Sequence, residues 1–151
     1  MPSEKPSEKP SEKNGRPPRT VYLVKRAETV VRNGLESCLQ PLGMTPRQYV
    51  TLSLLRDERD QSSADLARKA GITPQSMSET IAVLLAKHLI ERCENPGHRR
   101  ILMTRLTTAG ETLLADCETA VDAMEAKLLE AIPARDLDAL RAALRAIVKA
   151  G

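Results

Sequence analysis

The feature that most constrains the fold is a helix stop followed at once by a helix start, near the middle of the chain. Gly71 ends a short predicted helix that begins at Ser62, because glycine adopts the left-handed backbone of a helix C-cap without steric cost. Thr73 and Pro74 follow, and an N-cap residue before a proline is typical of the start of a helix. Residues 62–87 therefore predict helix, tight turn, helix. This is the layout of a helix-turn-helix, whose second helix enters the major groove of DNA.

Apolar residues spaced three and four apart predict further helices on both sides of this unit. One long helix begins near Thr20, and another helix follows the Thr45-Pro46 pair. Two helices fill the last third of the chain, and Thr108 with Glu111 is predicted to cap the first of them. The apolar stripes of the three long helices are Val24, Ala27, Val31, Leu35, Cys38 and Leu42; Leu114, Cys117, Val121, Met124 and Leu128; and Leu137, Leu140, Leu144 and Ile147. These stripes exceed what a core of this size covers, which favours a second copy of the chain as their partner.

A short hairpin is predicted between the helix-turn-helix and the last helices. Residues 89–93 and 101–106 are strand candidates, and an Asn-Pro-Gly turn joins them, followed at once by His98, Arg99 and Arg100. Positive charge at the tip of a hairpin can reach the phosphates of DNA or its narrow, electronegative minor groove. The predicted fold class is mainly α with a small β-wing, the winged helix-turn-helix, and the wing is this hairpin.

The composition and charge of the chain agree with a compact DNA-binding protein. Hydrophobic residues make up 41% of the 151 residues and aromatic residues 1%, which favours helices packed on helices over a β-sandwich. Residues 46–105 carry ten basic and seven acidic side chains, whereas residues 106–151 carry five and eight. This distribution is mild evidence for an anionic partner at the middle of the chain. The sequence has no membrane-spanning run and no signal peptide, and its three cysteines are no disulfide framework, so a cytoplasmic location is expected.

The chain divides into three predicted regions. Residues 1–19 contain the motif PSEK three times and are expected to form a disordered or extended arm, because they hold almost no apolar side chain. Residues 20–45 and 111–151 form the predicted helical dimerisation region. Residues 46–110 form the predicted winged helix-turn-helix, the DNA-binding region.

Two stretches resemble the MarR family of winged helix-turn-helix transcriptional regulators. They are SADLARKAGITPQSMSETIAVLLAKHLIER (63–92) and ENPGHRRILMTRLTTAG (94–110). Arg100 and Thr107 match the family's wing pattern D-x-R-x-x-x-L-x-L-T, whereas His98 stands where the family has Asp. The resemblance implies a homodimer that binds a pseudo-palindromic operator, usually as a repressor, and that a small molecule or an oxidant releases.

Candidate DNA-binding residues lie on the second helix of the helix-turn-helix and on the wing. Gln pairs with adenine, Ser reads base edges or phosphates, and Glu79 either accepts from the amino group of cytosine or pairs with a neighbouring Arg. The candidates on the helix are Thr73, Gln75, Ser76, Ser78 and Glu79, and those on the wing are His98, Arg99 and Arg100. Arg47, Arg68 and Lys69 are candidates for contacts with the DNA backbone, although each is also an ordinary surface charge.

Other functions have weaker signals in the sequence. A ligand pocket is predicted from the resemblance, with Tyr22, Val50, Leu54, Leu113 and Cys117 as its lining. Cys93 lies beside Arg92 and close to the wing arginines, charges that would lower the pKa of a thiol, which makes it the candidate for a redox switch. Neither a metal-binding pattern nor a catalytic motif occurs, so no cofactor and no enzyme activity are expected. A helical adaptor that binds protein instead of DNA is the alternative, and its binding would not weaken steeply with salt.

Overall fold

The computed structural model describes residues 17–98 and 100–150. Within these ranges, six α-helices and a three-stranded antiparallel sheet follow one another in the order α1, α2, β1, α3, α4, β2, β3, α5, α6. Their bounds are α1 Thr20–Leu39, α2 Pro46–Asp57, β1 Gln61–Ser62, α3 Ser63–Ala70, α4 Pro74–Ala86, β2 Ile90–Glu94, β3 Leu102–Leu106, α5 Thr108–Leu129 and α6 Ala134–Ala150, with a short 3₁₀ turn at Gln40–Leu42 after α1. This is the predicted winged helix-turn-helix with long helices before and after it.

Four helices begin with the same local bond, in which a hydroxyl oxygen accepts from the backbone N–H three residues later. Thr45 caps α2, Ser62 caps α3 and Thr73 caps α4, with donor–acceptor distances of 3.1–3.2 Å. These starts agree with the prediction. The predicted cap of α5 was wrong by one residue: Thr107 accepts from the N–H of Gly110 at 3.1 Å, and Thr108 is already helical.

The sheet contains a strand that the sequence did not predict. Gln61 pairs with Thr104 of β3, so the strand order is β1-β3-β2. Gln61 is 2% exposed, and its side-chain amide donates to the carbonyls of Leu54 and Glu58. A two-residue strand has no periodicity to detect, because it is defined by its partner 43 positions along the chain.

The hydrophobic core lies within the winged helix-turn-helix and the adjoining parts of α1 and α5. Its most buried side chains are Leu39, Leu52, Leu55, Leu66, Met77, Leu84, Leu114 and Cys117. In contrast, α6 contains no buried residue, and Val21 and Leu23 at the start of α1 are exposed. In the described ranges, no helix combines the length and apolar character needed to cross a bilayer.

We expect Gly110→Ala to destabilise the protein by about 2–3 kcal/mol, because overpacking against backbone forces the chain to move. A Cβ on Gly110 would lie 2.0 Å from the carbonyl oxygen of Leu89. This change in the free energy of unfolding is opposite in sign to the stabilisation of about 1 kcal/mol that replacing glycine by alanine normally brings to a helix. Urea unfolding at a fixed protein concentration measures it. Gly97→Ala is the control, since its Cβ would meet an atom no closer than 3.5 Å; equal midpoints for the two variants would contradict the account.

Candidate nucleic-acid interface

Helix α4 has one buried side and one exposed side. Met77, Thr80, Ile81 and Leu84 point into the core, whereas Gln75, Ser78, Glu79, Ala82 and Val83 lie on the outer side. The buried residues follow the helical repeat, so the same periodicity that fixes the helix in the core leaves a polar strip on its outer surface. We call α4 the recognition helix and this strip its outer face.

The structure brings most of the predicted residues of this helix to its exposed side. Thr73, Gln75, Ser78 and Glu79 are exposed, whereas Ser76 is half-buried and its backbone carbonyl accepts from the buried Thr80 hydroxyl at 2.8 Å. The Gln75 side chain donates to the Glu79 carboxylate at 3.4 Å. Within the described ranges, Glu79 forms no ion pair with an arginine, which was one of its two expected roles. Its carboxylate remains an acceptor on the outer face.

The wing is a regular hairpin with a structured tip. Strands β2 and β3 pair from Ile90 opposite Leu106 to Glu94 opposite Leu102. At the tip, the Asn95 side chain accepts from the N–H of Gly97 at 2.9 Å, a local bond that closes the turn. His98 and Arg100 are exposed just beyond it. Arg99 lies outside the described residues.

The base of the wing carries a charged cluster that no local sequence pattern reveals. Arg105 of β3 lies 3.1 Å from Asp60 and 3.7 Å from Glu91, and Asp60 adopts the left-handed backbone, with φ of 57°. The Cys93 thiol donates to the Asp60 carboxylate at 3.3 Å. The pKa of Arg105 is raised, first by the neighbouring Cys93 side chain and then by the charge of Asp60. The cluster connects the wing to the loop after α2. The redox role of Cys93 stays a prediction.

A second joint connects the end of the recognition helix to the start of α5. His88 follows α4 in the left-handed conformation, with φ of 55°, a backbone that His adopts more readily than most residues. Its carbonyl accepts from the Thr107 hydroxyl at 2.7 Å, while the same hydroxyl oxygen caps α5 through Gly110. The carbonyl of Leu89 accepts from the N–H of Thr107 at 3.1 Å. A few hydrogen bonds therefore connect the end of the recognition helix directly to the start of α5.

The residues predicted to line a ligand pocket differ widely in their exposure. Tyr22 is 58% exposed near the start of α1, whereas Cys117 is in the core, where burial raises the pKa of its thiol. An apolar cavity of about 380 Å³ lies between α1, α2, α5 and α6, and Tyr49, Leu35 and Val121 are among its lining residues. None of the five predicted residues lines it, so that pocket stays a prediction. Among the described residues, no group of three potential metal ligands comes together.

These features define a class of protein: a helix-turn-helix with an exposed polar recognition helix, followed by a cationic wing, is a winged helix-turn-helix of the DNA-binding type. Residues 42–101 match the sequence model of the MarR family. The chain is 34% identical over 113 residues to the HTH-type transcriptional repressor Rv2887 of Mycobacterium tuberculosis (strain ATCC 25618 / H37Rv), covering 75% of this chain and 81% of that protein. The chain belongs to the MarR family, whose members are transcriptional regulators.

Solved structures of the family have the same fold. The transcriptional repressor CouR of Rhodococcus jostii RHA1, bound to a 23-mer DNA duplex, aligns with a TM-score of 0.80 and 27% identity, covering 86% of this chain and 92% of CouR. The Mycobacterium tuberculosis protein Rv2887 in complex with salicylic acid aligns with a TM-score of 0.72 and 30% identity, covering 87% and 97%. The resemblance seen in the sequence is confirmed.

We expect Thr107→Val to lower the free energy of unfolding by about 1–2 kcal/mol, because the substitution removes an N-cap and a second hydrogen bond at once. Thr107→Ser keeps the hydroxyl and should retain most of the stability. Thr112→Val, which removes an exposed hydroxyl bonded to the carbonyl of Thr108, is the control on the same helix. Thermal unfolding compares the three variants. Equal stability of Thr107→Val and Thr107→Ser would contradict the role of this hydroxyl in the joint.

Proposed function

We propose that this chain is a homodimeric, sequence-specific DNA-binding repressor of the MarR type, which a small molecule releases from its operator. One observation carries the proposal: the exposed polar face of the recognition helix and the cationic wing occur together in the fold that CouR has when it is bound to a DNA duplex. The outer face would read base edges in the major groove, and the wing would contact phosphates or the minor groove.

The homodimer is supported by the apolar surface of the terminal helices. Leu144, Ile147 and Val148 of α6 are 43%, 50% and 80% exposed. An apolar cavity of about 680 Å³ lies between the first half of α1 and the region from the end of α5 into α6. Large exposed apolar patches mark interfaces, and a second copy of the chain presents a complementary apolar helix of the same kind. In this proposal residues 20–45 and 111–151 join the two copies, and residues 46–110 bind DNA.

Release by a small molecule is supported by the position of the apolar cavity of about 380 Å³. It adjoins the second half of α5, from Val121 to Leu129, and the first turn of the same helix forms the Thr107 joint with the recognition helix. A ligand that binds one arrangement of these helices better than another shifts the population of DNA-binding dimers. The salicylic acid complex of Rv2887 suggests aromatic carboxylates as the first compounds to test.

Selection of bound duplexes from a random pool at physiological salt, with sedimentation velocity on the same sample, tests the proposal. A dimer that enriches a pseudo-palindrome is the expected result, since the symmetry of the site mirrors that of the protein. A monomer that enriches no sequence would overturn it. A dimer that binds a protein partner with an affinity that does not depend on salt would instead support the alternative of a helical adaptor.

Gln75→Ala should change sequence preference more than overall affinity. A side chain that pairs with a base edge contributes discrimination of about 1–3 kcal/mol, whereas binding to random duplex depends on phosphate contacts. We expect a loss of tenfold or more on the selected site, on the order of what one such contact supplies. Titration of both duplexes measures the difference; equal losses on the two would contradict base reading by Gln75.

Arg100→Ala should weaken binding to every duplex and lower its dependence on salt. The exposed guanidinium at the wing tip would neutralise phosphate charge, and each such contact contributes about 0.9 to the slope of log affinity against log salt. The same titrations at several salt concentrations check this. Lys127→Ala, on α5, serves as the matched loss of one positive charge outside the DNA-binding region. If the affinity and salt dependence of Arg100→Ala change no more than those of Lys127→Ala, the wing does not contact DNA.

A further inference from the structure

We propose that Arg47, at the start of α2, binds a DNA phosphate beside the recognition helix, so that one strand of the duplex runs along the groove between α4, α2 and α1. The inference rests on the proposed function and adds a contact outside the helix-turn-helix and the wing.

The groove opens on the same surface as the outer face of the recognition helix. Its volume is about 540 Å³, and Glu79 and Val83 of the outer face form one of its walls. The remaining lining residues are Thr80 of α4, Thr45, Pro46, Arg47 and Gln48 at the start of α2, and Arg32 and Glu36 of α1. A helix with its side chains is about 10–12 Å across and nearly fills a major groove about 12 Å wide. The phosphate backbones therefore lie along the two flanks of the helix, and this groove runs along one of them.

The structure distinguishes Arg47 from the two other basic residues that the sequence offered as backbone contacts. Arg68 is paired with Asp65 at 2.8 Å, and this carboxyl has a lowered pKa, first because of its bond from the Ser62 hydroxyl and then because of Arg68. Lys69 is paired with Glu58 and also donates to the side chain of Gln61. Within residues 17–98 and 100–150, Arg47 is exposed and forms no ion pair. A phosphate would compete with a carboxylate at Arg68 and Lys69, but not at Arg47.

The position of Arg47 relative to the recognition helix is fixed by bonds on both sides of it. The Lys87 ammonium, at the end of α4, donates to the carbonyl of Gly43 at 2.7 Å and to the side chain of Gln48 at 3.3 Å. Gln48 in turn completes a capping box with Thr45. The first turn of α2 is thus held against the last turn of α4. The side chain of Arg47 projects from a rigid support, which lowers the entropy cost of placing it on a ligand.

The other charges of the groove increase the effect that loss of Arg47 would have on phosphate binding. Arg32 lies 3.5 Å from the carboxylate of Glu28, and Glu36 and Glu79 line the same groove. Removal of Arg47 would leave a groove with two carboxylates and one partly neutralised cation beside a phosphate. Because like charges repel, the loss should exceed that of an isolated surface cation.

The test compares Arg47→Gln with Arg68→Gln, which removes a paired cation near the same helix-turn-helix. Affinities are measured at several salt concentrations for the selected site and for a random duplex. We expect Arg47→Gln to weaken binding to both duplexes by about tenfold for each subunit, the order of one charged hydrogen bond, and so by about a hundredfold for the dimer. The slope of log affinity against log salt should fall in size by about 0.9 for each subunit, whereas Arg68→Gln leaves it unchanged. Arg47→Lys should restore the slope.

Each other outcome has a single meaning. A wild-type slope for Arg47→Gln, in a variant that melts at the wild-type temperature, would overturn the phosphate contact while leaving the proposed function intact. Equal falls in slope for Arg47→Gln and Arg68→Gln would overturn the distinction drawn from ion pairing, because Arg68 would then bind a phosphate despite its carboxylate partner. A wild-type protein that binds neither duplex would overturn the proposed function itself.

Discussion

The backbone carbonyl of Leu89 is the point on which the arrangement of the proposed DNA-binding surface depends. It accepts from the N–H of Thr107, and the chain approaches it so closely at Gly110 that no Cβ fits there. Leu89 itself donates to the carbonyl of Leu84 at 3.0 Å, so it closes the recognition helix as well. The end of α4, the start of β2 and the start of α5 are held by bonds to this one residue. Any shift of α5 against the core therefore displaces the end of the recognition helix.

On the proposed DNA-binding surface, one set of residues reads the base sequence and another set attracts the phosphates. Between Pro74 and Ala86 the recognition helix carries one charged side chain, Glu79, which is negative. A helix without cations gains little from phosphates, so the attraction must come from its flanks, where Arg47 and Arg100 are exposed. In this division the helix selects the site, and the flanking arginines supply affinity that does not depend on sequence. The cluster of Arg105 with Asp60 matters here because it sets the direction of the wing.

The sequence predicted the elements well where the governing bonds are local. The starts of α2, α3 and α4 follow from hydroxyl caps three residues from their donors, and the end of α3 follows from Gly71, with φ of 65°. The start of α5 was misplaced because two threonines stand side by side, and local spacing does not choose between them. Thr107 is the cap since its hydroxyl also reaches the carbonyl of His88, which local sequence cannot reveal.

The sequence by itself determined that the chain forms a helix-turn-helix with a basic hairpin, because caps, turns and apolar periodicity act over a few residues. Only the tertiary structure decided which surface charges are free. Lys69 finds its partner 11 positions away, and Arg105 finds Asp60 across 45 positions. It also decided that Gln61 is a buried strand residue and that α6 is left uncovered. Pairs of this kind depend on how distant segments fold together, and no local pattern encodes that.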